Sequence, residues 1–252
     1  MLLMESRLTS LLAEWTAGVT EVWTAGGVTL AFALLARWVR GVARSGAVAG
    51  AVICFVLYLT AGPGAFAVLV SVFVLAWITT RVGYAHKQRL GTAEKREGRT
   101  ASQVLANLGT AAVCGILVAV SGRDVFRLGL VAALSEAAAD TVSSEVGQAA
   151  SGKARLITTW QEVPAGIDGG ITLPGTLAGV GTAAAVSAVG GLTRLLPWNW
   201  LAPAAAAAVL GMIVDSYLGA WLERRGWLNN DAVNFLSTVV AAGFGALFSR
   251  VY

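Results

Sequence analysis

The sequence predicts an all-α protein: a polytopic transmembrane bundle of about seven to eight spans that forms a single integral membrane domain over residues 1–252. Hydrophobic residues make up 56% of the chain and charged residues only 13%, whereas a soluble domain usually has about twice that charged fraction. The mean hydropathy is +0.71. The apolar residues also run in blocks of roughly 20, the length that crosses a bilayer as a helix.

The apolar runs cover residues 22–40, 45–61, 63–80, 101–121, 125–147, 173–193, 200–221 and 231–249. Residues 2–20 alternate leucine with charge, which predicts either an interfacial helix or an extension of the first span. The Gly-Pro-Gly at 62–64 predicts a tight turn between the second and third runs. The Pro-Trp-Asn-Trp at 197–200 predicts a turn with aromatic anchors at the membrane–water boundary. Cys54 and Cys114 lie within apolar runs and are interpreted as packing residues.

The basic residues indicate the orientation. When the loop 81–100 is placed in the cytoplasm and the spans alternate, 13 of the 18 lysines and arginines fall on the inner side, as the positive-inside rule requires. The basic balance of the chain therefore reflects membrane topology, and nucleic acid is not an expected partner. The unusual polar residues converge on the same inner end. We expect a multi-pass protein of the cell membrane whose site faces the cytoplasm.

The segment ADTVSSEVG at 139–147 concentrates polar groups within an apolar run. Carboxylates inside a bilayer are costly and mark function by default. On an unbroken helix Glu136 and Asp140 share a face, whereas Glu145 points about 140° away from Asp140. Asp140 and Glu145 could then bind the same ion only if the helix breaks between them or if the ion lies between two helices. Asp140 and Asp215, which lie on different spans, are an equally simple pair of ligands. Oxygen ligands of this kind suit Mg²⁺. The alternative is that the acids form structural ion pairs with basic residues such as Lys87.

A basic stripe follows in the segment 86–109. Arg99, Gln103 and Asn107 are spaced four residues apart and share one helix face. A cationic loop that leads into an amide-bearing helix suits a nucleotide or a prenyl phosphate. The alternative is a loop that only fixes topology or binds anionic lipid headgroups. We favour phosphate binding for Lys87 and Arg99, and topology alone for Lys95 and Arg96.

Five elements occur in a fixed order: RTASQVLANLG (99–109), ADTVSSEVG (139–147), GIDGGITLPGTLAG (166–179), DSYLGA (215–220) and NDAVNFLST (230–238). In this order they resemble the integral membrane family, known as domain of unknown function ninety-two, that includes the phytyl-phosphate kinases of plants and cyanobacteria. That group is similar in character to CTP-dependent polyprenol kinases. The chain departs from the family pattern at Val142, where an aromatic residue is common, and at Leu108, where glycine is common.

The resemblance implies a prenyl-phosphate kinase that transfers a phosphoryl group from CTP or another nucleoside triphosphate to an isoprenyl or phytyl monophosphate, with Mg²⁺ as cofactor. The expected catalytic residues are Asp140, Glu145, Asp215, Lys87 and Arg99, the first three of them also as metal ligands. The expected nucleotide- and phosphate-binding residues are Gln103, Asn107, Thr141, Ser144, Asp168, Ser216, Asn230 and Asn234.

Two alternatives stay open at this point. A transporter or flippase for an anionic lipid or metabolite could use the same charges as a binding site, because glycine-interrupted helices with acids at corresponding positions also occur in broken-helix transporters. A cytidylyltransferase that forms a CDP-lipid would differ only in which phosphorus atom is attacked. The expected partners are the lipid bilayer, a prenyl phosphate and a nucleotide.

Overall fold

The computed structural model describes residues 2–150 and 153–249, with side chains described from residue 18 onward. In this part of the chain the α-helices are α1 (Leu2–Trp38), α2 (Arg44–Arg81), α3 (Tyr84–Leu90), α4 (Ala101–Ser121), α5 (Val125–Ala149), α6 (Leu173–Leu192), α7 (Leu201–Leu218) and α8 (Asn230–Phe248). The long helices coincide with the apolar runs. Residues 2–20 form the first part of the continuous helix α1, and the segment of this helix that is apolar enough to cross a membrane begins at Gly18.

The second helix, α2, is a hairpin of two arms. Gly62 has φ 80° and ψ −178°, a backbone conformation that glycine adopts without a steric penalty, and Pro63 begins the second arm, where its missing N–H is harmless. The two ends of α2 consequently meet. Trp77 Nε1 and the Arg81 guanidinium, near the end of the second arm, donate to the Val39 carbonyl just before the first arm, at 3.1 and 2.5 Å. The predicted Gly-Pro-Gly turn is confirmed.

Six helical segments of the described chain are long and apolar enough to cross a membrane. One of them is α2, which contributes two arms. The helix α5 has 25 residues, enough to span a bilayer, although it carries the polar motif. A short 3-10 turn, Trp198–Trp200, precedes α7, and a π-helical turn, Gly219–Glu223, follows it. The prediction of an all-α polytopic membrane bundle is confirmed.

The helix α5 lies at the centre of this bundle. It packs against α2, α4, α6, α7 and α8. Leu130, Val131 and Leu134 have no exposed surface, and the buried hydroxyl of Ser135 shares a hydrogen bond of 3.1 Å with Ser187 of α6. A helix that touches protein on all sides can carry polar groups that lipid would not tolerate.

Between α5 and α6 the chain forms a small antiparallel sheet that the sequence analysis did not predict. In spatial order its strands are β2 (Glu162–Val163), β1 (Ala154–Leu156) and β3 (Gly170–Ile171). Arg155 of the central strand pairs with Glu162 on one side and with Ile171 on the other. Strands of two or three residues are too short to show the alternating pattern that predicts a strand.

The loop after α3 and the segment that carries the sheet lie at the same end of the bundle. A Cβ atom placed on Gly166 would lie 2.3 Å from Cγ2 of Thr92. At the opposite end, a Cβ atom on Gly64 in the α2 turn would lie 3.2 Å from Oγ1 of Thr193, which ends α6. The two loops rich in basic residues therefore share one face of the membrane.

This arrangement predicts a labelling pattern for single cysteines in a background without the two native ones. Glu97→Cys and Thr159→Cys, at exposed positions of the basic end, should resist a membrane-impermeant maleimide in intact cells because the positive-inside rule places that end in the cytoplasm. Asp124→Cys and Asn199→Cys, exposed at the other end, should react. Labelling of positions 97 and 159 from outside would reverse the expected orientation.

Candidate functional site

A polar cavity of about 290 Å³ lies at the basic end of the bundle. Its walls come from the start of α4, the second half of α5, the end of α7, the start of α8 and the loop before α6. Twelve of the thirteen residues expected at the site line this cavity: Arg99, Gln103, Asn107, Asp140, Thr141, Ser144, Glu145, Asp168, Asp215, Ser216, Asn230 and Asn234. The thirteenth, Lys87, does not. Five sequence elements that are distant in the chain thus meet in one place.

Asp140 on α5 and Asp215 on α7 both line the cavity. The two carboxylates are close enough to interact electrostatically. The helices approach closely because α7 has a glycine at its contact with α5: a Cβ atom on Gly211 would lie 2.6 Å from Cγ of Glu136. The Oδ2 atom of Asp215 is buried and has no hydrogen-bond partner among the described residues. A buried carboxylate oxygen without a donor is costly unless a cation or proton reaches it.

Glu136 is a polar residue of this region that the expected set of site residues did not include. It lies on α5, one turn from Asp140, and its side chain is 1% exposed. Its Oε1 atom also has no hydrogen-bond partner among the described residues. The spacing i, i+4 to Asp140 was visible in the sequence. Glu136 therefore adds a second buried carboxylate with one unpartnered oxygen, and it does not belong to the residues that line the cavity.

Glu145 and Lys87 form a buried ion pair. Lys87 is 0% exposed, and its ammonium donates to Oε2 of Glu145 and to the backbone carbonyls of Thr79 and Thr80 at 3.1 and 2.9 Å. These three acceptors use all three N–H groups of the lysine. The pair joins α3 and α5 to the end of α2. For these two residues the structure shows the structural ion pair that the sequence left open as an alternative.

The expected metal set of Asp140, Glu145 and Asp215 therefore does not assemble. Among the residues that the structure describes, no group of three or more histidine, cysteine, aspartate or glutamate side chains is placed to hold a metal ion. The physical reason is the unbroken helix: α5 continues from Val125 to Ala149, so that Glu145 points away from Asp140 and toward Lys87. Asp140 and Asp215 remain, and both line the cavity.

The basic stripe of α4 lines the same cavity as the two acids. The guanidinium of Arg99 donates to Oγ1 of Thr141 at 3.1 Å and lies within electrostatic range of Asp140. Gln103 accepts from the backbone N–H of Thr100 at 2.8 Å, which completes a capping box at the start of α4. The start of α4 therefore has two roles. Its first turn ends the basic loop with a capping box, and the side chains of the stripe line the cavity.

The loop before α6 brings Asp168 over the end of α7. Gly169 has φ 73°, and a Cβ atom there would lie 2.4 Å from Cβ of Ala220, so that no other residue fits this approach. Burial raises the pKa of the Asp168 carboxyl above its usual range, and Arg224 opposes that shift. The loop and its small sheet cover the cavity from the aqueous side.

Comparison with known proteins agrees with the membrane fold. The family of integral membrane proteins DUF92 matches residues 27–242. An uncharacterized membrane protein of Synechocystis is 33% identical over 193 residues, which cover 74% of each chain. An uncharacterized membrane protein of Methanocaldococcus jannaschii is 36% identical over 182 residues, covering 71% of this chain and 74% of that protein. The chloroplastic protein VTE6 of Arabidopsis thaliana is 35% identical over 190 residues, covering 70% of this chain and 56% of that protein. No solved structure matches the chain.

The ion pair between Lys87 and Glu145 predicts the behaviour of two variants. Lys87→Met alone should destabilise the protein by about 3–5 kcal/mol, because it leaves a carboxylate enclosed without its partner. Lys87→Met combined with Glu145→Gln should restore most of that loss. Thermal unfolding in detergent measures both. If Lys87→Met kept full stability and only weakened phosphate binding, the lysine would be a ligand-binding residue as first expected.

Proposed function

Because the chain belongs to the DUF92 family of integral membrane proteins, we propose that it is a prenyl-phosphate kinase. It would transfer a phosphoryl group from CTP or another nucleoside triphosphate to an isoprenyl or phytyl monophosphate. The observation that carries this proposal is the polar cavity at the basic end, which the acids of α5 and α7 line together with the Arg99 stripe of α4. Its support from the sequence is the resemblance of five ordered elements to the phytyl-phosphate kinases.

The chemistry matches the position of the cavity. The acceptor has an apolar tail and an anionic head, while the nucleotide is water-soluble, so the reaction belongs at a membrane–water boundary. A phosphate oxygen of the acceptor forms the new P–O bond to the γ-phosphorus, and the bond from that phosphorus to the β–γ bridging oxygen breaks. The nucleoside diphosphate leaves with the electron pair. The acceptor phosphate is already a nucleophile, which is why no general base is required.

The residues present fit Mg²⁺ as it is usually bound by phosphoryl-transfer enzymes. This ion is commonly held by one or two carboxylates together with substrate phosphates and water, rather than by a cage of protein ligands. Asp140 and Asp215 would hold it, and the unpartnered Oδ2 atom of Asp215 is a free ligand atom. When bound, the ion offsets the negative charge of the phosphates. Glu145 is not assigned to the metal, because it is paired with Lys87.

The side chains of α4 and α8 that line the cavity would position the phosphates. Phosphoryl transfer depends mainly on positioning and on the neutralisation of charge. Arg99 supplies a fixed cation, since its guanidinium is already oriented by Thr141 at 3.1 Å. The amides of Asn230 and Asn234, which line the cavity from α8, add donors and acceptors for the nucleotide.

A product assay tests the reaction class. Purified protein with CTP, Mg²⁺ and a panel of prenyl monophosphates should release CDP and form the prenyl diphosphate, because the terminal phosphorus is attacked. Release of pyrophosphate with a CDP-lipid would instead identify a cytidylyltransferase. If neither product forms with any nucleoside triphosphate, while prenyl phosphate moves between the leaflets of proteoliposomes, the protein is a flippase and the proposal is wrong.

Removal of one charge from the carboxylate pair tests the metal role. Asp140→Asn should lower turnover about a hundredfold or more, because Lewis-acid stabilisation by a metal contributes several kcal/mol. Stability should stay equal or rise slightly, since an enclosed carboxylate is costly. Asp215→Asn should behave alike, and the double variant should lose little more than either single variant.

The matched control is Asp124→Asn at the N-cap of the same helix, where the side chain is 66% exposed and pairs with Arg127. This variant should leave turnover and Mg²⁺ dependence unchanged. If Asp140→Asn unfolds in detergent while its folded fraction keeps full turnover, the acid is structural and the metal proposal fails.

A further inference from the structure

A second cavity, of about 310 Å³, lies beside the polar one, within the apolar part of the bundle. It opens between α1, the two arms of α2 and α4. Most of its wall is apolar, including Phe32, Cys54, Leu69, Val72 and Val104. A cavity lined in this way suits hydrocarbon, because burial of apolar ligand surface is favourable there.

Small residues on the first arm of α2 create this space. Gly46, Ala47 and Gly50 line the cavity. A Cβ atom on Gly46 would lie 2.1 Å from the carbonyl oxygen of Arg99, so this glycine seals α2 against the start of α4. A Cβ atom on Gly50, in contrast, would meet no atom within 4 Å. Gly50 therefore faces open space that a larger side chain would fill.

The mouth of the apolar cavity is cationic. Five basic side chains line it, namely Arg40, Arg81, Lys95, Arg96 and Arg99, against one acid, Glu94. The side chains of Arg40, Lys95 and Arg96 make no hydrogen bond or ion pair with the rest of the described chain. Arg81 is held by the carbonyls of Trp77 and Val39. An apolar cavity with a cationic mouth is complementary to a molecule with a hydrocarbon tail and an anionic head.

The two cavities share one wall. Arg99, Gln103 and Asn107, together with Glu94, line both of them. We propose that the apolar cavity holds the head-proximal part of a single isoprenoid chain, whose phosphate lies at Arg99 and faces the polar cavity. This inference rests on the proposed function for the role of that lipid as the acceptor. The two substrates would then approach Arg99 from opposite sides, the lipid from the membrane and the nucleotide from the aqueous end.

The depth of the cavity limits how much of the chain it covers. Cys54 lies eight residues beyond Gly46 on the first arm of α2, and Leu69 lies twelve residues before Arg81 on the second arm. At 1.5 Å per residue, these separations correspond to about 12 and 18 Å, less than the ~30 Å hydrocarbon thickness. A long isoprenoid therefore extends beyond the cavity into the bilayer. The site would select for the phosphate and the first isoprene units, and would tolerate different total lengths.

Photo-crosslinking tests the location. A geranylgeranyl monophosphate that carries a diazirine in its second isoprene unit should label the wild-type protein on residues 50–54 or 69–73. Unlabelled geranylgeranyl monophosphate should compete, whereas uncharged geranylgeraniol and the two-chain lipid phosphatidylglycerol should not. Labelling confined to other segments overturns the proposal. Competition by phosphatidylglycerol as strong as that by the monophosphate also overturns it, since the cavity would then be a general lipid site.

A matched pair of glycine variants tests the filling of the cavity. Gly50→Leu should abolish the crosslink and raise the KM for geranylgeranyl monophosphate at least about tenfold, because the leucine occupies volume that the chain needs. The KM for the nucleotide should stay within about twofold, because Gly50 does not line the polar cavity. The control is Gly181→Leu on α6, an exposed helical position where a Cβ atom also meets nothing within 4 Å. It should match the wild type in both measurements.

The outcomes separate this inference from the proposed function. Turnover without a crosslink on residues 50–54 or 69–73, or equal behaviour of the two leucine variants, refutes the tail site and leaves the kinase standing. A competed crosslink without turnover supports the tail site and refutes the kinase. If Gly50→Leu does not fold, the wild-type crosslink and its competition still decide the question.

Discussion

Ionisable side chains within a bilayer have to be enclosed by protein, and this constraint determines how the bundle is arranged. The helix α5 carries Glu136, Asp140 and Glu145, and a single such charge at the centre of a span costs at least about 2.5 kcal/mol. Fifteen of its 25 residues are buried, and α2, α3, α4, α6, α7 and α8 pack against it. The apolar helices of the outer layer face the lipid and separate α5 from it.

Small side chains allow some helices to pack closely and leave space between others, where ligands are expected. At Gly211 the missing side chain brings α7 against Glu136, and at Gly46 it brings α2 against the start of α4. At Gly50 the same residue type faces empty space. The start of α4 thereby becomes a partition with an apolar cavity on one side and a polar cavity on the other. A reaction between a lipid and a water-soluble nucleotide needs such a boundary.

Much of this arrangement could be predicted from the sequence because it depends on periodicity and composition. Runs of membrane-spanning length located the helices, and a glycine before a proline located the α2 turn. The convergence of the polar motifs on one end followed from the alternation of spans, and the shared cavity agrees with it. These features follow from the local sequence together with the positive-inside rule for orientation.

Other features depend on contacts that no local pattern records. Glu145 pairs with Lys87, which lies 58 residues earlier in the chain and on another helix. This pairing depends on how the two helices are oriented toward each other. The sheet of β1, β2 and β3 is too short to show a period. The apolar cavity lies between helices whose composition would be apolar even if they packed without a space. The small residues of α2 are therefore its only sign in the sequence.

The central position of α5 also has a consequence for how the protein is made. When α5 leaves the ribosome, α1, α2 and α4 already exist, but α6, α7 and α8, which cover its remaining faces, have not been synthesised. Its acids, at about 2.5–3.5 kcal/mol each near a helix centre on the insertion scale, oppose its release into lipid at that moment. The packing of α5 against α6, α7 and α8 therefore makes its stable burial depend on helices that are synthesised after it.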